Sequence, residues 1–218
     1  DVIPTHALHT KSSLHSVILP DQLQEIDYAA FCECKSLMGS LIIPEGVVKI
    51  EELAFGRCSG LRGLLTLPST LEYIGAAAFE TCAFIGELKL PDKLKYIVTQ
   101  AFYSCKNFTG TLVLPESLQY IGASAFHHCS GITGSLKIPQ GITEISSFAF
   151  YGGGFDGALI MHDGIIAIGE RAFGLCKFKG ELNLPSKIFI LEDEVFINCN
   201  FSGNLKLPQN LRSIGMSV

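Results

Sequence analysis

Charge is scarce in this chain and carries no basic excess. Only 17% of its 218 residues are charged, with 16 Lys and Arg against 21 Asp and Glu, for a formal net charge of −5. A surface that neutralises a phosphate backbone needs clustered cations, so nucleic acid is excluded as a partner and extended polyanions are poor ones. No run approaches the ~20 consecutive apolar residues of a membrane-spanning helix, which argues against membrane insertion. Asp1 to Thr10 lacks a basic stretch followed by an apolar one, but a mature chain would have lost such a leader, so compartment is not decided by this. The eight cysteines include no Cys-x2-Cys pair, the spacing that structural zinc sites use. With 48% hydrophobic residues, there is apolar material for a large core and disorder is excluded.

What the chain does have is a period. With the proline that closes each unit as origin, registers begin at Pro20, Pro44, Pro68, Pro91, Pro115, Pro139, His162, Pro185 and Pro208, giving eight complete units of 23 or 24 residues and a ninth begun. Three residues on comes an aliphatic, and six on comes Ile26, Ile50, Ile74, Ile97, Ile121, Ile145, Ile168 or Leu191. Eleven on comes Phe in every unit, from Phe31 to Phe196, preceded by Ala in seven. Fourteen on stand Cys34, Cys58, Cys82, Cys105, Cys129, Gly153, Cys176 and Cys199, and a Gly lies five residues before each next origin. A unit this short cannot bury its own apolar side chains. It must stack on its neighbours, so that like residues form ladders along one core.

The segment after each Gly alternates, as in Leu88-Lys89-Leu90, which is the period of a strand with one buried face. The proline ends that strand because it has no N–H to donate. Strands of successive coils would pair in parallel about 4.8 Å apart, so eight coils span roughly 40 Å. A second short strand is expected near the Ile, then a single helical or 3₁₀ turn carrying the Phe inward.

The run Leu112-Val-Leu-Pro-Glu-Ser-Leu-Gln-Tyr-Ile-Gly-Ala-Ser-Ala-Phe-His-His-Cys129 resembles the BspA-type leucine-rich repeat, LxIPxxLxxIGxxAFxxCxxL, and the likeness extends from Val17 to Gly215. It departs at Gly153, at His162, and at the Gly after the Ile, kept only at Gly75, Gly122, Gly169 and Gly215. The fold expected is an α/β, right-handed leucine-rich-repeat solenoid forming a single domain over 1–218. Within it, 1–13 are read as an irregular stretch, 14–19 as the end of a partial repeat, 20–207 as eight repeats and 208–218 as a truncated ninth. The resemblance implies a cell-surface or secreted protein that adheres to host, neighbouring-cell or extracellular-matrix proteins, without catalytic residues or cofactors. An intracellular scaffold or secreted effector with the same fold would be favoured by a parent gene lacking a secretion signal; a structural spacer in a longer surface protein is a further alternative. Because both ends stop in mid-pattern, the chain is expected to be a fragment or to be capped by another molecule.

Constellations that suggest chemistry dissolve on inspection. Seven cysteines share one ladder position and read as buried, reduced thiols; Cys32 lies off the ladder and is expected to be partly exposed. His127-His128-Cys129 would need an exposed thiolate to act as a nucleophile, and so reads as structural. Gly152-Gly153-Gly154 lacks the spacing of a phosphate loop and reads as a flexible stretch. Glu192-Asp193-Glu194 lacks calcium-loop geometry and reads as a solvated edge. His6, His9 and His15 have no ligand spacing. Asn107-Phe108-Thr109 and Asn200-Phe201-Ser202 match the N-glycosylation signal, which matters only in a eukaryote.

The candidate binding residues are those that point out of the stack. Between the buried aliphatics of the strand before each proline lies the row Ile42, Thr66, Lys89, Val113, Lys137, Ile160, Asn183, Lys206, from which Lys89, Val113, Lys137 and Ile160 are the candidates for contact with a protein ligand. Beside the Ile, Tyr73, Tyr96 and Tyr120 stand on three consecutive rungs. Tyrosine suits interfaces, and stacked tyrosines also simply stabilise adjacent strands.

Overall fold

The structure, a computed structural model describing residues 1–218, is a parallel β-solenoid of about nine turns held by three hydrogen-bonded ladders. The first runs through the isoleucine positions. Six two-residue strands (Val2–Ile3, Glu25–Ile26, Lys49–Ile50, Tyr73–Ile74, Tyr96–Ile97 and Tyr120–Ile121) form one parallel sheet, and Glu144–Ile145, Ala167–Ile168, Ile190–Leu191 and Ser213–Ile214 form another. At the join the Ser146 hydroxyl donates to the Ile121 carbonyl at 2.7 Å. One coil earlier, the backbone N–H of Gly122 makes the equivalent bond to Ile97 at 2.8 Å.

The second ladder lies where a helical turn is expected, and no helix forms. In each coil two residues adopt left-handed backbone, for example Ala29 (φ 50°) and Glu33 (φ 59°), then Leu53 (φ 58°) and Arg57 (φ 62°). This aims alternate N–H groups at the next coil: Ala29 donates to Glu52 O at 2.9 Å, Phe31 to Ala54 O at 2.8 Å and Glu33 to Gly56 O at 2.8 Å. A helix would spend those donors inside one coil, whereas the stack spends them between coils. The left-handed residues cost about 1–2 kcal/mol each, an amount offset by inter-coil bonds worth about 1 kcal/mol apiece net. The helical component of the expected α/β class is therefore corrected to an all-β coil.

The strands before the proline form the third ladder, and it is broken. Leu41–Ile42 pairs with Leu65–Thr66, and Leu136–Lys137 with Leu159–Ile160, but Leu88–Leu90 and Leu112–Leu114 make no backbone bonds to neighbouring coils. On this side the Gly segments carry inter-coil pairing instead, as Gly86–Glu87 does with Phe108–Thr109 and Lys179–Gly180 with Asn200–Phe201. Clefts lie at two other joins that lack such bonds, beside Val17–Leu19 and beside Leu182–Leu184.

The interior contains no buried polar or charged residue. Phe31, Phe55, Phe79, Phe102, Phe126, Phe150, Phe173 and Phe196 stack in sequence with centroids 4.9–5.9 Å apart and planes within 13°, each pair adding about 0.5–1.5 kcal/mol beyond area burial. A second inward row, Leu37, Leu61, Phe84, Phe108, Ile132, Phe155, Phe178 and Phe201, packs against it. Its phenylalanines meet the first row edge-on, as at Phe79–Phe84 (71°) and Phe173–Phe178 (78°). The residue that separates 24-residue from 23-residue units lies just before this row: two residues part Cys34 from Leu37, and one parts Cys82 from Phe84.

The first residues, read from sequence as irregular, form a coil of their own. Val2 and Ile3 pair in register with Glu25 and Ile26, and Leu8 N–H donates to Ala30 O at 2.7 Å, so Leu8 takes the Phe position. This coil lacks the Gly that later coils carry before the proline strand, leaving one residue fewer between Leu14 and Pro20 than between Leu37 and Pro44. Val17–Leu19 nevertheless keeps the faces of the later strands, with Ile18 outward and Leu19 inward, and makes no inter-coil backbone bond.

Candidate functional site

The seven candidate residues fall on two different surfaces. Tyr73, Tyr96 and Tyr120 are direct neighbours in the isoleucine ladder. Tyr96 and Tyr120 are 39% and 43% exposed, while Tyr73 is half-buried. Their rings do not stack face to face: Tyr73 and Tyr96 lie 6.3 Å apart and tilted by 51°. Instead the Lys49 ammonium sits 5.3 Å from the Tyr73 ring centre, and the Tyr96 hydroxyl donates to Gln119 Oε1 at 2.9 Å.

Lys89, Val113, Lys137 and Ile160 lie across the proline corner on the broken ladder. Lys137 and Ile160 are paired neighbours, and Lys137 Nζ donates to Glu116 Oε1 at 2.6 Å. Val113 is 70% exposed and Ile160 49%. The same row brings out two aliphatics of the first coils, Ile18 at 97% and Ile42 at 66% exposed, with Leu64 beside them at 54%. Ile18 was legible in principle, since it stands two residues before Pro20 as Ile42 does before Pro44.

The residues weighed for chemistry are absorbed by the stack. All eight cysteines are free thiols. Each ladder thiol donates to the Phe-position carbonyl of the preceding coil, as Cys58 does to Phe31 O at 3.0 Å, Cys105 to Phe79 O at 3.1 Å and Cys176 to Phe150 O at 3.2 Å. Burial pushes the Cys58 and Cys129 thiols up to about 12, the reverse of what a nucleophile needs. Cys32, expected to be partly exposed, is buried at 5%; Cys199 is the half-buried one. His127 is sandwiched between Tyr103 and Tyr151 at 4.7 and 5.0 Å, with its Nδ1 buried and without a partner. Burial, then the neighbouring His128, lowers its pKa to about 4.

The triple glycine is a close-packed stretch rather than a flexible one. Gly152 takes the left-handed position (φ 66°), and a Cβ there would lie 2.3 Å from His128 Nδ1. The acidic triplet is likewise engaged: Glu192 accepts the Glu170 N–H at 2.8 Å, Asp193 accepts the Met216 N–H at 2.7 Å, and Glu194 pairs with Arg171 at 2.7 Å. Asn107 and Asn200 are both exposed, each preceding a phenylalanine of the second inward row.

A stack of parallel coils with an apolar interior and freely varied outward rows defines a repeat solenoid, a class that generally serves interaction rather than catalysis. The chain belongs to the BspA type leucine rich repeat region family, whose model matches six copies across residues 1–133 and 99–218. Among solved structures it is similar to a leucine rich cell surface protein from Faecalibacterium prausnitzii (TM-score 0.56, 20% identity, over 89% of this chain and 67% of that one). It is also similar to a leucine-rich repeat protein from Bacteroides ovatus (TM-score 0.47, 19% identity, 98% and 78%) and to the T. pallidum leucine rich repeat protein (TM-score 0.46, 25% identity, 74% and 66%). No curated protein sequence matches it.

Proposed function

We propose that this chain is a non-catalytic protein-binding module of a cell-surface or secreted protein, docking a host, neighbouring-cell or matrix protein on the face before the proline corner. The observation that carries the reading is the outward row Ile18, Ile42, Val113 and Ile160, each about half exposed or more. Exposed aliphatics aligned on one rigid face, with Lys89 and Lys137 between them, have the composition of an interface core with a polar rim. Support for surface display comes from the family and from the Faecalibacterium protein, which is described as a cell surface protein.

The test is capture of extracellular-matrix and cell-surface proteins on the immobilised chain, repeated with Ile42→Ser, Val113→Ser and Ile160→Ser combined and, separately, with Tyr96→Ala. A partner lost with the triple variant and kept with Tyr96→Ala supports docking on this face. The opposite pattern moves the site to the tyrosine row, and capture by neither protein would leave a structural spacer as the better reading.

A further inference from the structure

The irregular first corner creates a concavity of its own. Where the first coil is one residue short, a cavity of about 470 Å³ opens against the next two coils, lined by His15, Lys35 and Arg62 from three successive coils. No carboxylate lines it, although acidic residues outnumber basic ones in the chain as a whole.

The two cations of the lining, Lys35 and Arg62, are free to turn to a ligand. Arg62 makes no ion pair or hydrogen bond, unlike Arg57 and Arg171, which are both held by glutamates. Lys35 has a 63% exposed side chain and a single loose partner, Glu33 at 3.6 Å. His15 is held in place by its Nδ1, 2.8 Å from Ser13 O, so that Nδ1 carries the proton and Nε2 is left unengaged. The polar lining is completed by the Ser36 hydroxyl and by backbone N–H groups of Ser36, Gly39 and Gly60 that make no hydrogen bond within the protein. Guanidinium, ammonium, hydroxyl and unpaired amides around one concavity make up the donor set that tetrahedral oxyanions select.

We infer that this corner is a binding site for a single tetrahedral oxyanion, a sulfate or phosphate ester group. A net negative chain repels an extended polyanion and still admits one anionic group where local charge is positive, since at physiological salt the screening length is about 8 Å. The site's existence does not depend on docking at the outward row, whose Ile18 and Ile42 stand three residues from His15 and Gly39.

The experiment is a titration of ¹⁵N-labelled protein with sodium sulfate and with inorganic phosphate at ionic strength held constant with chloride, following amide shifts. Saturable shifts confined to Ser36, Gly39, Gly60 and their neighbours are expected, weakened about tenfold or more in Lys35→Ala and Arg62→Ala and unchanged in Arg212→Ala, a distant arginine. Shifts that grow linearly with salt over the whole surface, or that persist unaltered in the Lys35 and Arg62 variants, overturn the site. Parallel titrations with O-sulfated glucosamine and with phosphoserine identify the source of the group, the tighter of the two naming it.

Discussion

The Cys129 thiol donates across the coil boundary to the Phe102 carbonyl, with Sγ 3.2 Å from the oxygen. The same bond recurs along the ladder, so the cysteine is there as a small hydrophobe that also supplies one donor to a carbonyl no water reaches. Cys129→Ala should lower stability by about 2 kcal/mol, combining a small cavity with a lost donor, and Cys129→Ser should be milder because the hydroxyl keeps the donor. Gly153→Cys completes the ladder on paper and should still destabilise the fold by about 1–3 kcal/mol: a Cβ at Gly153 would lie 2.7 Å from two atoms of the Phe155 ring, which already fills that space. Denaturant midpoints of the three variants check this, and a stabilising Gly153→Cys would refute it.

Burial of the thiols makes the solenoid sensitive to alkali. Cys58 and Cys129 rise from the ordinary 9.0 to about 12, and Cys82, Cys105 and Cys176 are raised as well, mainly by burial. The folded chain thus holds protons that the unfolded chain releases above pH 9. Stability is complete below that pH and falls as pH climbs towards 12, by up to about 1.4 kcal/mol per pH unit for each such thiol. Unfolding free energies from pH 8 to 11 should show this decline, with a shallower slope in a Cys58→Ala, Cys129→Ala double variant. Native protein at pH 8 should resist thiol reagents, with Cys199 the first to react.

The repeat exposed the inward positions because every coil imposes the same steric demand on Ile, Phe, Cys and the corner proline. The left-handed turns were hidden for the converse reason. Ala29, Leu53, Arg57 and Phe148 share no side-chain chemistry, since what holds them in place is a backbone bond to the next coil, which a pattern within one unit does not encode. The second inward row was blurred because alignment on proline shifts Leu61 and Phe84 by one position relative to each other. The first coil went unrecognised because Leu8 replaces the Phe, Lys11 the Cys, and the Gly is missing. Of the candidate site, exposure of both rows was legible, but their separation by the proline corner was not, because that depends on how far the chain turns between Lys137 and Glu144.

The left-handed positions predict an unusual response to glycine. Ser104 has φ 56° and donates its N–H to His127 O at 2.7 Å. Ser104→Gly removes the Cβ penalty and keeps that bond, for a gain of about 0.5–1 kcal/mol after the greater chain entropy of glycine is subtracted. Ser104→Val places a β-branched residue where it is least tolerated and should cost about 1–2 kcal/mol. Thermal melting should order the proteins Gly above Ser above Val; the reverse order would mean that the turn relaxes to an ordinary conformation.

His127 supplies an opposing sensitivity to acid. Its imidazole, pressed between Tyr103 and Tyr151, falls from 6.5 to about 4, so as pH drops below 6.5 the unfolded chain takes up a proton that the folded chain refuses. This contribution to stability is intact above pH 6.5 and is lost progressively towards pH 4. His127→Phe preserves a flat ring for the aromatic sandwich while removing both the ionisable group and the unpartnered Nδ1. The variant should match the parent at pH 7.5 or exceed it, and should show a flatter decline between pH 6.5 and 4.5. The ring proton signals of His127 should also stay unshifted down to pH 5; a titration near pH 6.5, or an acid slope unchanged in His127→Phe, would mean that the imidazole is solvated and that the stack opens far more readily than its geometry implies.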